Sequence, residues 1–332
     1  MRINLRDGIG QSRRRFLFAG GALGAAVWMS NQSLAGSGEP LRVAIYKGIG
    51  DYKLMFHAAG LPAPSFPVSY EEFGSGKVIL EAMNAGSLDL GSMSEIPPVF
   101  SIPSRPRLKL IGVIKGDVNN QAVLIQRDSK ITSIADLKGK RVGYVRATTS
   151  HYFLLKMLAE AGLTFDDIVP VNLTPPDGQA AFAKGALDAW AIYGYSIPLA
   201  IHLNGARVLK TALGYLSGNY LLAAHPETIA DPKRHAEIEE LLRQLRAALA
   251  WGNANPEAWA ELEAKSLGLP KEIVLEETLK QSSPWLSAPV DDAVIASQQE
   301  VADVFARAGL IQEPVDVSKL WDRSFNFVLA GN

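Results

Sequence analysis

Between residues 39 and 224 the chain repeats one hydropathy pattern: a short run of consecutive apolar residues, then a stretch with apolar residues three and four apart. LRVAIY (41–46), LDLGS (88–92), RLKLIGVI (107–114), NQAVLIQ (120–126), RVGYV (141–145) and LDAWAIY (187–193) predict strands. GKVILEAMNAG (76–86), SIADLKGK (133–140), TSHYFLLKMLAEAG (149–162) and GQAAFAKG (178–185) predict helices, two of them closed by Gly86 and Gly162. Strand and helix in alternation predict an α/β fold of sheets flanked by helices. AGSLDLGS (85–92) is echoed by KGALDAWA (184–191), each a helix stop, a Gly, a Leu-Asp pair and a strand, which supports two similar lobes. From His225 onward the spacing is that of long helices, and Trp251, Trp259 and Trp285 there are expected in helix packing.

Composition removes several functions. A net charge of −1 and the absence of a basic stripe argue against a nucleic-acid partner. With no Cys there is no disulfide framework, thiolate metal site or Cys nucleophile. The five His residues fall at no ligand-like spacing, so neither a metal nor a cofactor is expected. SRRRFLF (12–18) precedes the apolar AGGALGAAVWM and the small residues of SLAG, the pattern of a twin-arginine export signal over residues 1–35. Its apolar stretch, 16–29, is shorter than the ~20 residues of a membrane span. Cleavage near Ala35 would release a periplasmic product and, by removing five Arg and one Asp, lower its charge to −5. Such a protein binds an anion through aimed dipoles rather than bulk charge.

Two helix starts offer such dipoles, since about four N–H groups there lack intrahelical partners. Gly74, Ser75, Gly76 and Lys77 form one; Thr148, Thr149, Ser150 and His151 form the other. Plain N-capping is the alternative reading of both. Tyr46 would wall a cleft at the end of the first strand, and Lys47 either attracts an anion or is solvated. His151 is expected to be neutral, and Asp177 reads equally as an N-cap.

The ordered set AIYKG (44–48), FGSGKVILEAMNAGSLDLGSMSEIPPVF (73–100), SIADLKGKRVGYVRATTSHYFLLKMLAEAGL (133–163), NLTPPDGQAAFAKGALDAWAIY (172–193) and RVLKTALG (207–214) resembles the periplasmic substrate-binding proteins of ABC importers for alkanesulfonates, taurine and nitrate, in the sulfonate branch. The resemblance spans about 41–224. It implies a two-lobed type II periplasmic binding protein: residues 39–118 and 224–332 in one lobe, 119–223 in the other, with crossings near 119–124 and 219–223 and the ligand in the cleft between. It implies an organosulfonate ligand, a membrane permease and its ATPase as partners, and a monomer. Ser92, Ser94 and Glu95 match the family's cleft loop, where an Asp is usual in place of Glu95, and Glu95 could meet an amine on the ligand. Where the family has Trp-Asp-Pro or Trp-Ala-Pro, this chain has Tyr193-Gly194-Tyr195-Ser196. Two phenols in place of an acid or a proline favour a neutral-tailed or aromatic sulfonate over taurine. Tyr220, in the second crossing, completes the expected ligand-binding set. Two rivals stay open: the same scaffold binding nitrate, bicarbonate or a heterocyclic vitamin precursor, and a periplasmic enzyme on this fold.

Overall fold

The computed structural model describes residues 38–46 and 52–331. The expected export signal lies outside them. Strands β1 (Leu41–Tyr46), β2 (Val68–Phe73), β3 (Leu90–Ser94), β4 (Lys109–Lys115), β10 (Asn219–Ala224) and β11 (Leu286–Ala288) form a sheet in the order β11-β4-β10-β3-β1-β2. Strands β5 (Gln121–Ile125), β6 (Arg141–Tyr144), β7 (Val169–Asn172), β8 (Ala189–Tyr193) and β9 (Arg207–Thr211) form a second in the order β7-β6-β8-β5-β9. The helices are α1 (Tyr52–Ala58), α2 (Gly76–Asn84), α3 (Ile96–Ser101), α4 (Thr149–Glu160), α5 (Pro175–Ala183), α6 (Ser196–Asn204), α7 (Pro226–Ala230), α8 (Pro232–Ala254), α9 (Pro256–Leu267), α10 (Lys271–Leu279), α11 (Asp292–Arg307) and α12 (Asn326–Ala330).

The two sheets share one plan. In each, three parallel strands (β2-β1-β3 and β7-β6-β8) are followed by one antiparallel strand. That strand is β10 in the first sheet and β5 in the second, each supplied by the chain as it crosses over. The eight-residue echo in the sequence has a physical basis. Arg42 donates from Nε and Nη2 to the two oxygens of Asp89 at 2.9 and 2.8 Å, and from Nη1 to Gly86 O at 2.6 Å. Arg141 repeats this on Asp188, at 3.1 and 2.9 Å, and on Gly185 O at 3.2 Å. Gly86 and Gly185 take φ of +72° and +69°, the left-handed turn that lets a helix stop and its chain re-enter the sheet. A bidentate Arg clamp then fixes that turn to the middle of the three parallel strands in its own sheet.

The crossings are short. Gly116 N donates to Gly218 O at 3.0 Å and joins them side by side. Two expectations need correction. β10 belongs to the first sheet, so the second crossing runs through 212–218, before the expected 219–223; likewise Gln121 to Leu124 already lie in β5. Nor do residues 224–332 serve the first sheet alone. Ile238, Leu241, Leu242 and Leu245 of α8 do pack with Leu41, Val43 and Leu222. But Tyr195, at the start of α6, packs among Ala260, Ala264 and Val274 of α9 and α10, and His202 of α6 lies 3.1 Å from Glu276 of α10. Helix α11 touches both sides: Val301 and Phe305 join Ile96 and Val99 of α3 with Tyr152 of α4, and Lys156 meets Glu300 at 2.6 Å. Apolar spacing identifies the buried face of a helix but not the surface that covers it. Trp259 is buried, and Trp251 and Trp285 pack at the edge of the first core.

Candidate functional site

Ligands of open α/β sheets sit beyond the carboxyl ends of strands. Here those ends carry Tyr46 and Ser94 from the first sheet and Tyr144 and Tyr193 from the second. Tyr46 and Tyr193 come from opposite sheets, and burial, then the nearby Tyr46, holds the Tyr193 hydroxyl protonated well above its ordinary range. Burial also raises Tyr46, offset in part by a hydrogen bond from Gly76 N–H at the start of α2. That hydrogen bond couples the positive end of α2 to the Tyr46 phenol.

Ser75 is the N-cap of α2 and its Oγ accepts from Val78 N at 3.4 Å. Gly76 has no substitute: a Cβ there would lie 2.8 Å from Met93 Cβ, so the helix start is pressed onto β3. A Cβ at Gly74 would meet nothing within 4 Å, so that backbone is open. Lys77 is 79% exposed and 3.7 Å from Glu81, a solvated pair. Lys47 lies outside the described residues.

The start of α4 divides its residues. Ala147 takes φ +57°, and the Thr148 hydroxyl donates to Val145 O at 2.7 Å instead of capping. Ser150, fully buried, accepts from Val145 N at 3.1 Å. His151 is buried too: its Nδ1 accepts from Ala147 N at 3.3 Å, and its ring sits 4.8, 5.1 and 5.4 Å from Tyr144, Phe165 and Phe305. Burial, aided by Arg146, lowers its pKa to about 4, so the imidazole is neutral with its proton on Nε2. The side chains of Ser150 and His151 therefore hold the turn. Thr149 lines a pocket between the two sheets with Glu95, Gln121, Tyr152, Ser217 and Tyr220.

Other expected contacts are spoken for. The two oxygens of Glu95 accept from Ser217 Oγ at 2.6 Å, Ser297 Oγ at 2.9 Å and Asn219 Nδ2 at 3.2 Å, while burial raises its pKa. That carboxyl ties β3 to the second crossing and to α11, leaving no need for a ligand amine. Asp177 accepts from Thr174 Oγ1 at 2.7 Å in the exposed cap of α5. Tyr195 is turned away toward Glu263, which with burial keeps its phenol protonated. Ser92 is buried and bonded to Tyr52. Tyr220 lies in β10 just past the second crossing, its ring 5.2 Å from Trp285 and its hydroxyl 3.4 Å from Gln121 Nε2. Sequence reasoning overlooked Gln121 and Asp117. The polar run Asn119-Asn120-Gln121 just before a strand of apolar residues was the available signal.

Two sheets of one plan, joined by paired crossings and with helix starts and strand ends converging between them, define the class of two-lobed α/β solute-binding proteins. The chain belongs to the family described as NMT1/THI5 like, whose model matches residues 76–258. It is 36% identical over 260 residues to a putative aliphatic sulfonates-binding protein of Escherichia coli (strain K12), covering 78% of this chain and 80% of that one. The crystal structure of the periplasmic aliphatic sulphonate binding protein SsuA from Escherichia coli superimposes with a TM-score of 0.79 at 33% identity, covering 87% of this chain and 94% of that one. The alkanesulfonate-binding protein SsuA from Xanthomonas axonopodis pv. citri, bound to MOPS, gives 0.76 at 27% identity, covering 86% and 98%. The desulfurization enzyme DSZB, at 17% identity and a TM-score of 0.62, shares the fold alone.

Proposed function

We propose that this chain is the periplasmic solute-binding component of an ABC importer and that it captures an organosulfonate between its two sheets, without chemically changing it, for delivery to a membrane permease and its ATPase. It acts as a monomer, exported through its N-terminal signal. One lobe is built on the first sheet, the other on the second, and they pivot at residues 116–120 and 212–218. Two observations support the reading: Thr149, at the start of α4, lines the pocket between the sheets, and Tyr46, bonded to Gly76 at the start of α2, lies near Tyr193 of the second sheet. A sulfonate is ionised at every physiological pH and presents three acceptor oxygens. Thr149 offers its hydroxyl and, with Ser150, first-turn N–H groups from one lobe; Tyr46, polarised by Gly76, donates from the other. A ligand bridging the two gains hydrogen bonds only in the closed form, which couples capture to closure. The relatives named for sulfonate binding support the same ligand class.

Removing donors tests this. Thr149→Ala is expected to weaken sulfonate binding by about 1–3 kcal/mol with little change in melting temperature. Ser75→Ala, which deletes a cap, is expected to cost about 1 kcal/mol of stability and less in affinity. Titration calorimetry beside thermal denaturation separates the two; full affinity in Thr149→Ala returns that residue to a purely structural role.

A further inference from the structure

The turn between β6 and α4 is pinned along its backbone and free at one tip. Arg146 N donates to Asn172 Oδ1 at 2.9 Å, and Ala147 N donates to His151 Nδ1 at 3.3 Å. Asn172 ends β7 as Tyr144 ends β6, so Arg146 stands at the carboxyl ends of both strands, a few residues before the Thr149 that lines the pocket. Its side chain is exposed. Among the described residues its guanidinium has neither a hydrogen bond nor an ion pair. Arg141 on the same strand is by contrast clamped on Asp188 at 2.9 Å. Asp177, in the first turn of α5 beyond the end of β7, is occupied by Thr174 Oγ1 at 2.7 Å. The charge of Arg146 also reaches inward, since it helps to keep the buried His151 neutral.

The charge around this turn is uneven. Residues 121–211, the second sheet with its helices, carry ten Lys or Arg against seven Asp or Glu, while residues 225–332 carry ten against eighteen. An approaching anion is repelled by the second segment and drawn to the first. We propose that Arg146 is the capture residue for the anionic solute: its guanidinium draws the charged head onto the start of α4 while the cleft is open and passes it to Thr149 as the lobes close. This rests on the sulfonate reading above. An unpaired cation on a fixed backbone gives up no ion pair to meet the ligand, and its exposure lets water weaken the contact once made. Its effect therefore falls on the rate of encounter more than on the lifetime of the complex, as for charges at the rim of an interface. Salt is the variable that exposes such an effect, because the field of an exposed charge reaches about 30 Å at 0.01 M ionic strength and about 3 Å at 1 M.

The test is stopped-flow fluorescence of the protein with butanesulfonate at about 10 mM and about 500 mM NaCl, beside titration calorimetry. Trp285, whose ring lies 5.2 Å from that of Tyr220 on the pocket wall, is the reporter. In Arg146→Gln the association rate constant is expected to fall about fivefold at the lower salt and to come within about twofold of the unaltered protein at the higher, with dissociation changed by less than about twofold at both. Arg146→Lys, which keeps the charge, should retain most of the rate. Lys184→Gln removes the same charge from an exposed C-cap of α5, near the amino end of β8, and should leave association within about twofold. Unchanged association in Arg146→Gln at low salt overturns the proposal. An equal loss in Lys184→Gln overturns it too, as does a loss carried by dissociation alone, and in each case the sulfonate reading stands. Absence of saturable butanesulfonate binding to the unaltered protein removes the sulfonate reading, and this proposal with it.

Discussion

Asp117→Ala is expected to lower stability by about 4 kcal/mol, a fall in melting temperature on the order of 10 °C. Asp117 is 2% exposed and accepts four hydrogen bonds: from Asn119 N at 2.9 Å, Asn120 N at 3.0 Å, Ser282 N at 2.7 Å and Ser282 Oγ at 2.8 Å. One carboxylate therefore shapes the first crossing and fastens it to the segment that follows α10. Alanine orphans three backbone N–H groups at once, and a half-buried turn admits too little water to replace a charged acceptor. Asp117→Asn keeps one acceptor oxygen and should lose less than half as much. Thermal denaturation of both variants checks the ranking; a loss below about 1 kcal/mol in Asp117→Ala would mean that the crossing is held by its other contacts.

Gly116→Ala is expected to cost about 3 kcal/mol, by overpacking and not by backbone strain. A Cβ at Gly116 would lie 2.0, 2.2 and 2.5 Å from Cε3, Cζ3 and Cδ2 of Trp285. Trp285 cannot retreat easily. Its N–H donates to Asn253 Oδ1 at 3.1 Å, its carbonyl accepts from Asn253 Nδ2 at 2.7 Å, and its ring packs on Tyr220 at 5.2 Å. Relieving the clash means moving the indole off Tyr220, whose hydroxyl lies 3.5 Å from Asp117 O in the first crossing. The paired change Gly116→Ala with Trp285→Leu should recover more than half of the loss relative to Trp285→Leu alone, a coupling that chemical denaturation of the four proteins measures. Additive losses would show that the clash is relaxed by some other movement.

How much of this was legible in the sequence depended on whether the signal was local. Strands with nearly continuous apolar runs, such as β5 and β8, and the helix stops at Gly86 and Gly162 could be read directly, because burial on both faces and a left-handed turn each leave a mark within a few residues. The half-buried edge strands β2 and β7 were missed: Ser69, Glu71 and Glu72 make β2 polar enough to pass for a loop. The site was legible only as residue types at helix starts. Ser75, Thr148, Thr149 and Ser150 look alike in sequence, yet one caps, two bond Val145 and one lines the pocket. Those assignments turn on the φ of Ala147 and on which lobe faces each hydroxyl. Tyr195 and Glu95 were misjudged for the same reason: their partners, Glu263 and Ser297, lie 68 and 202 positions away in helices whose docking no pattern reveals.

Binding of an anion at the helix starts between the lobes is tested most directly by thermal shift of the protein with alkyl, aryl and amino sulfonates beside sulfate, nitrate and uncharged pyrimidine and flavin-like rings. A ligand that binds only the folded chain raises its melting temperature as its concentration passes the dissociation constant. A rise is expected with sulfonates that nitrate and the uncharged rings do not reproduce. A rise with an uncharged ring and none with any sulfonate would contradict it.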